Sequence, residues 1–196
     1  MSKSDPASHK RERRKAVSWV ITIFLVTILI SGAISLVSDE IMASSGMAVA
    51  FLILLAIVLI GIFFDIVGVA VTSADEKPFH SMAARKVPGA QEAIRLLRNA
   101  ERVSSICNDV VGDICGVVSG SASATIAAQI LANFEFSWPR IVSLVMSALV
   151  AGLTVGGKAV GKTFAINSCT AIVSFVGRFI YTFRHFSVVF RKKDKK

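Results

Sequence analysis

The sequence predicts an all-α integral membrane protein with four transmembrane helices and amphipathic helices at the cytoplasmic membrane surface. Hydrophobic residues make up 54% of the chain and charged residues only 18%, and the mean hydropathy is +0.67. These values are far from those of an ordinary soluble domain. The hydrophobic residues also occur in long runs. Because a hydrocarbon core of about 30 Å needs roughly 20 helical residues, such runs predict membrane spans.

Four runs are long enough to cross a bilayer. Residues 16–37, 47–72 and 141–157 are strongly apolar, and residues 105–133 form a weaker run that is rich in Gly, Ser and Ala. The first run is longer than the apolar core of a cleaved signal peptide, which has about 7–15 residues, and no A-x-A site follows it. We therefore predict a retained helix over 16–37, preceded by a disordered basic tail, residues 1–15.

The positions of the basic residues predict the orientation of the spans. Lys and Arg cluster before the first run, between residues 73 and 104, and from Lys158 onward, and of the 22 only Arg140 lies in the loops 38–46 and 134–140. By the positive-inside rule both termini are cytoplasmic, in the inner or plasma membrane, and these two loops are outside. The net charge of +9 is then explained by topology and contact with the lipid bilayer, and no nucleic-acid partner is expected.

Two segments outside the runs have the periodicity of amphipathic helices. The first lies in the central loop and the second after the fourth run, and their apolar stripes are Ala93, Ile94, Leu97 and Ala100, then Ile172, Val173, Val176, Phe179, Ile180 and Phe183. Both are predicted to lie at the inner membrane surface. For the second, a fifth span is the alternative, disfavoured because it would carry Arg178 to bilayer depth. Residues 184–196 are predicted to be a basic C-terminal tail.

Small residues recur at every fourth position of the third and fourth runs. The two ladders are Gly112, Gly116, Gly120 and Ala124, and Ala148, Gly152 and Gly156. Ladders of this kind let helix backbones approach closely in a membrane. Two interpretations remain open: the two helices pack against each other within one protein, or the ladders also form a homodimer face.

The sequence contains one match to a motif of soluble enzymes. Residues 156–163, GGKAVGKT, match the phosphate-binding loop of P-loop enzymes, which joins a strand to a helix. Here a membrane-length apolar run precedes the motif, and no strand that ends in Asp follows it. We therefore expect no enzyme activity. The three cysteines, Cys107, Cys115 and Cys169, have no metal-binding spacing, and no disulfide is assigned to them.

Polar residues near the cytoplasmic ends of the second and third spans are the candidate functional residues. On the predicted topology these two ends meet at the same side of the membrane. Carboxylate and amide oxygens suit a hard cation such as Mg²⁺, and acids inside a membrane are functional by default. The alternative is structural, with the aspartates paired to Lys158 or Lys162 or lying in the interface. The candidate metal ligands are Asp65, Asn108, Asp109 and Asp113.

Three segments also carry a family resemblance. In order, they are GIFFDIVGVAVTSAD, GAQEAIRLLRNAERVSSICNDV and GGKAVGKTFAINSCTAIV. All three resemble the transmembrane domain of the cyclin-M/CorC family of magnesium-transport proteins. The first segment is similar to that family's FFSASEIALLSLS, and the second has ICN where the family has IGN. The third is similar to the segment that follows the family's EIxPK motif. The resemblance covers residues 47–183 and implies a three-helix transport domain, to which the helix over 16–37 adds one crossing.

The resemblance carries over the family's ion ligands only in part. Asn108 matches the family's asparagine, Asp65 stands at the first serine of SASE, and Lys158 matches the lysine of EIxPK. Other ligand positions differ, with Gly68, Thr154 and Gly157 in place of family residues. The family's regulatory CBS domains are not in this sequence, which implies a separate cytoplasmic regulatory partner. The implied function is Mg²⁺ transport or homeostasis, and the alternative is a membrane scaffold that binds a partner and moves no ion.

Overall fold

The computed structural model describes residues 6–134 and 138–193, with side chains for 17–42, 44–134 and 138–185. Every regular element in this part of the chain is helical, which confirms the all-α prediction for it. In the loop between the third and fourth runs, the aromatic residues Phe134, Phe136 and Trp138 predict an interfacial belt, and of these Phe136 lies outside the described residues. In chain order the elements are α1 Pro6–Ser44, α2 Met47–Ser73, α3 Lys77–Ala84, α4 Ala90–Arg98, α5 Ala100–Ser105, a π-helical segment Ile106–Gly112, α6 Asp113–Asn133, α7 Pro139–Asn167 and α8 Cys169–Lys193.

Four stretches of helix are long and apolar enough to cross a membrane. They are 17–42 within α1, all of α2, residues 100–133 and all of α7. The third stretch joins α5, the π-helical segment and α6 into one rod, which we call the central rod. The described part of the chain therefore has four candidate spans, as the sequence predicted, and their length and composition indicate a multi-pass membrane protein. In the described part of the chain α8 is not among the four, which agrees with the prediction that it is no fifth span.

The first helix is longer than the sequence predicted. It begins at Pro6 rather than near residue 16, and it ends at Ser44 rather than near residue 37. The prediction of disorder is therefore wrong from Pro6 onward. Proline is well tolerated in the first turn of a helix, and the Lys, Arg and Glu that follow it are good helix formers. Nothing in this stretch interrupts the backbone hydrogen bonds, so the apolar helix extends into the basic segment.

The second helix is the centre of the bundle. It packs against the central rod on one side, against α7 on another, and against α8 near its own end. One core lies near its start, where Leu54 and Val58 meet Ile126 of α6 and Val150 of α7. The first helix contacts the rod through Ile23 and through Met42, which is fully buried and whose carbonyl accepts a hydrogen bond from Nε2 of Gln129 at 2.8 Å, while most of its other apolar side chains are exposed. Exposed apolar side chains are suited to lipid, because lipid tails are as apolar as the side chains themselves.

Glycines on α2 and α7 allow the helices to pack closely. A Cβ built at Gly61 would lie 2.8 Å from the Cβ of Cys115 on α6, and one built at Gly161 would lie 2.8 Å from Cγ1 of Ile66. By contrast, no atom of the described residues lies within 4 Å of such a Cβ at the ladder glycines Gly116, Gly120, Gly152 and Gly156. Of the two interpretations, packing of the third and fourth spans against each other is present, because α6 contacts α7, but these glycines do not form its close contact. The close seams lie between α2 and its two neighbours instead.

The two predicted amphipathic helices are present and pack against each other. Helix α4 buries Ala93 and Leu97, which belong to the first predicted stripe. The described part of α8 buries Val173, which belongs to the second. Their backbones meet where Gly89, with φ +86, approaches Gly177 of α8. The short helix α3 was not predicted. Its one buried side chain, Phe79, is fully enclosed and joins the core under these helices.

Candidate functional site

The candidate residues of the third span lie on and just after an irregular turn of the central rod. Residues Ile106–Gly112, with the sequence ICNDVVG, form a π-helix between α5 and α6. Such segments are rare, appear mostly as single turns inside α-helices, and are frequent at functional sites. The irregular turn contains Asn108 and Asp109, and Asp113 follows it directly. It also contacts α2, the helix that carries Asp65.

Asn108 faces α2 and has an unpaired buried oxygen. Its Nδ2 donates a hydrogen bond to Oγ of Ser104 at 3.2 Å, whereas its Oδ1 is buried and has no hydrogen-bond partner among the residues that the structure describes. The amide packs directly on Gly68 of α2, where a Cβ would overlap with Oδ1. Gly68 therefore leaves the space that Asn108 occupies. A buried acceptor without a donor costs about 1–3 kcal/mol, so this oxygen is poised to accept a hydrogen bond or a cation.

Asp65 forms an ion pair with Lys158. Its Oδ1 lies 3.9 Å from Nζ of Lys158, and the two side chains are only 17% and 26% exposed. The same Nζ donates a hydrogen bond to the carbonyl oxygen of Gly112 at 3.5 Å. One ammonium group thus connects α2, the end of the π-helical segment and α7. Charged pairs at such positions in membrane-length helices are rare and costly, which marks this pair as a candidate functional group.

The other two predicted ligands are exposed and do not take part in this ion pair. Asp109 and Asp113 are exposed, and among the described residues neither lies within 4 Å of a cationic side chain. Asp113 lines a groove of about 510 Å³ between α6 and α7, at whose edge Lys158 also lies. The structural alternative, pairing with Lys158, therefore applies to Asp65 and not to these two residues. Lys162 is exposed and forms no ion pair with any described carboxylate.

The structure does not bring the four candidate ligands into one cluster. Within the described residues no group of three Asp, Glu, His or Cys side chains is close enough to hold a metal ion. Asn108 packs on Gly68 of α2, and Asp65, one helical turn from Gly68, pairs with the ammonium of Lys158 that also reaches the carbonyl of Gly112. Asp109 and Asp113 are exposed. A cation held by Asp65 and Asn108 would have two oxygens from side chains and the carbonyl of Gly112 nearby.

Sequence reasoning missed two contributors to this arrangement. Ser104 orients the Asn108 amide, and its signal was the four-residue spacing that puts both on one helical face. The contribution of the Gly112 carbonyl could not be predicted from the sequence, because the position of this carbonyl depends on the π-helical turn. The P-loop pattern is explained by the fold: residues 156–163 continue the helix of α7, so they lack the loop that a phosphate-binding P-loop requires.

Comparison of the chain with protein-family models, with curated proteins and with solved structures found no match. The resemblance to the cyclin-M/CorC family therefore stays a prediction.

Proposed function

We propose that the protein binds a small divalent cation of the Mg²⁺ type at the cytoplasmic end of its helix bundle and moves it across the membrane. The observation that carries the proposal is the buried, unpaired Oδ1 of Asn108, which packs on Gly68, one helical turn from Asp65. Mg²⁺ keeps several of its waters and is often bound through only one or two carboxylates. Asp65 with Asn108 is thus a sufficient set of side-chain ligands.

Lys158 acts in this proposal as a tethered counter-ion. Its ammonium lies within 4 Å of both Asp65 and the Gly112 carbonyl, where it neutralises the carboxylate while no cation is bound. A bound Mg²⁺ replaces that ammonium, so binding and movement of the Lys158 side chain are coupled. The charge at Asp65 is then compensated in both states, which avoids the cost of an isolated carboxylate at membrane depth.

Asp109 and Asp113 have a different role in the proposal. Both are exposed, and on the proposed topology they lie close to the end at which cytoplasmic cations enter. Two negative charges there raise the local concentration of cations without ligating them. Their removal is therefore expected to slow uptake more than it weakens the bound state.

The proposal is tested by titrating Mg²⁺ into the purified full-length protein in detergent by calorimetry. We expect saturable binding in the wild type, loss of binding in Asp65→Asn, and retained binding in Asp109→Asn, which makes the same chemical change at an exposed position. Mg²⁺ uptake into proteoliposomes then tests transport. The proposal fails if the wild type gives no Mg²⁺-dependent heat, or if the two variants lose binding equally.

A membrane scaffold that moves no ion is the second candidate, and two observations favour it. Lys158 already neutralises Asp65, and the ladder glycines of α6 and α7 present open surface, as a homodimer face would. In that case Mg²⁺ has no effect on any variant. The oligomeric state in detergent then becomes the informative measurement: Gly116→Leu should convert a dimer to a monomer while leaving the melting temperature of the monomer unchanged.

A further inference from the structure

A second polar site lies away from the Asp65 pair, between α4, α8 and the turn that precedes α4. It is a cavity of about 440 Å³. Its walls carry the basic side chains Lys86, Arg95 and Arg184, together with His185 and a single acid, Glu92. Neither the predicted ion site nor the membrane spans use these residues. The excess of basic groups around one cavity indicates a site for an anion.

The single carboxylate does not satisfy the two arginines. Oε1 of Glu92 lies 3.5 Å from Nη1 of Arg95 and 3.8 Å from Nη1 of Arg184, while these two arginine side chains remain 59% and 64% exposed. A guanidinium has five N–H donors in a planar fork, so most of the donors on both remain available. Glu92 instead holds the two side chains at one cavity wall, facing a common ligand position.

Lys86 adds a third positive charge from a fixed position. Among the described residues no carboxylate lies within 4 Å of its ammonium group. Its backbone is held at φ +56, and its N–H donates to the carbonyl of Ala83 at 3.0 Å. The cavity walls are also fixed relative to each other, because a Cβ at Gly177 of α8 would lie only 2.6 Å from the carbonyl oxygen of Gly89. The backbone segments that carry the basic groups are therefore fixed relative to each other.

We propose that this cavity binds a phosphate monoester group. Two guanidinium forks and an ammonium suit a dianion with three oxygens, since Arg binds phosphate through paired N–H donors and Lys binds it as a point charge. A carboxylate ligand would leave part of this donor set unused. The phosphate group can belong to a soluble molecule or to a lipid headgroup, and the orientation of α8 distinguishes the two sources.

The exposed apolar side of α8 faces away from the cavity. Phe175, Phe179 and Phe183 are exposed and follow one side of the helix at four-residue spacing. Tyr181, on the cavity wall, is two residues from Phe179 and so lies about 200° around the helix. On the proposed topology the phenylalanines enter the membrane surface and the cavity opens to the cytoplasm. The ligand is therefore a soluble phosphate compound.

The experiment measures phosphate binding to the full-length protein in nanodiscs of phosphatidylcholine, in Mg²⁺-free buffer so that the result is independent of the ion site. Inorganic phosphate is titrated by calorimetry into the wild type, Lys86→Gln, Arg184→Gln and Arg178→Gln. Arg178 is the matched control, because it is an exposed arginine of the same helix that does not line the cavity. Nanodiscs with added phosphatidic acid, a lipid with a phosphate monoester headgroup, provide the second arm.

We expect saturable phosphate binding in the wild type and in Arg178→Gln. The dissociation constant should rise about ten-fold or more in Lys86→Gln and Arg184→Gln, because each loses a charge-assisted contact. Phosphatidic acid in the membrane should not compete. Competition by the lipid with the same variant pattern would keep the phosphate site and assign its ligand to the headgroup. The proposal is overturned if the wild type binds neither source, or if Arg178→Gln weakens binding as much as the cavity variants.

Discussion

The two faces of the central rod have similar sequences and different surroundings. The face towards α2 carries Asn108 and Cys115, which touch Gly68 and Gly61 of α2. The outward face carries Asp109, Asp113 and Gly116. Both aspartates are exposed, and among the described residues no atom lies within 4 Å of a Cβ built at Gly116, which lines the open groove towards α7 together with Asp113. Each face has polar groups near the π-helical turn and small residues beyond it. The contact with α2, rather than the composition of the rod, separates the two.

A lipid environment, which the four long apolar helices indicate, accounts for this difference. In a soluble protein the apolar face of a helix is buried and the polar face is hydrated, so the sequence reports the direction of the core. Lipid is as apolar as a protein core, and helix association depends on close packing and on interhelical hydrogen bonds. A small-residue ladder then permits contact without identifying its partner. In this protein the close contact between the rod and α2 is made at glycines of α2.

The largest effect on stability is expected from a substitution that overfills the close contact between α2 and the rod. In Gly61→Ala the new methyl group would lie 2.8 Å from the Cβ of Cys115, an atom fixed to the backbone, so the helices have to separate. We expect a loss of about 1–3 kcal/mol in the free energy of unfolding, as for other overpacked sites. The measurement is reversible unfolding in mixed micelles.

Gly116→Ala is the matched control on the outward face. It fills open space, and because Ala is a better helix former than Gly it should change the free energy of unfolding by no more than about 1 kcal/mol, in the stabilising direction. If Gly61→Ala and Gly116→Ala lowered the free energy of unfolding equally, the two faces of the rod would be packed alike. That result would contradict the difference between the two faces.

A smaller effect is expected from the ion pair between Asp65 and Lys158. The partly exposed pair is separated by 3.9 Å, so a double-mutant cycle with Asp65→Asn and Lys158→Met should give a coupling of about 1 kcal/mol in the absence of cations. A coupling near zero would show that the pair contributes nothing to the fold.

The same Lys158→Met variant tests the proposed competition for Asp65. Without the ammonium, Mg²⁺ no longer has to displace a bound cation, and its affinity should rise by about ten-fold or more. Lys162→Met is the control, since Lys162 lies one turn further along α7 and is exposed. Unchanged Mg²⁺ affinity in Lys158→Met would separate the ion pair from any ion site and favour the scaffold.

The sequence predicted the parts of the fold that depend on length and periodicity. The four spans follow from runs of apolar residues, and α4 and α8 follow from their stripes. It did not predict α3, because an eight-residue helix carries too little periodic signal. The π-helical turn and the orientation of Asn108 depend on contacts with α2, which a single helical pattern cannot encode. For the same reason the sequence grouped Asp109 and Asp113 with Asn108, although the structure puts them on another face.

The smallest change in stability is expected at Asn108, where two effects oppose each other. Asn108→Ala loses the hydrogen bond to Ser104, which is worth about 0.5–1.5 kcal/mol, but it also removes a buried acceptor without a partner, whose cost is about 1–3 kcal/mol. Without cations the free energy of unfolding should therefore change by about 1 kcal/mol or less. In the wild type Mg²⁺ should raise the melting temperature, because a ligand that binds only the folded state stabilises it, and this response should be absent in Asn108→Ala.

The control for this last prediction is Asn133→Ala, at the other end of the same rod. The Asn133 amide donates to the carbonyl of Gln129 at 2.8 Å and is exposed, so its removal deletes a hydrogen bond without removing an unpaired buried oxygen. Asn133→Ala should keep the full Mg²⁺ response. If Asn108→Ala instead lowers stability strongly in the absence of Mg²⁺, its Oδ1 has a partner in the folded protein, and the oxygen is a structural group rather than a ligand. If both variants keep the Mg²⁺ response, the cation binds elsewhere, and the inward face of the rod is a packing surface only.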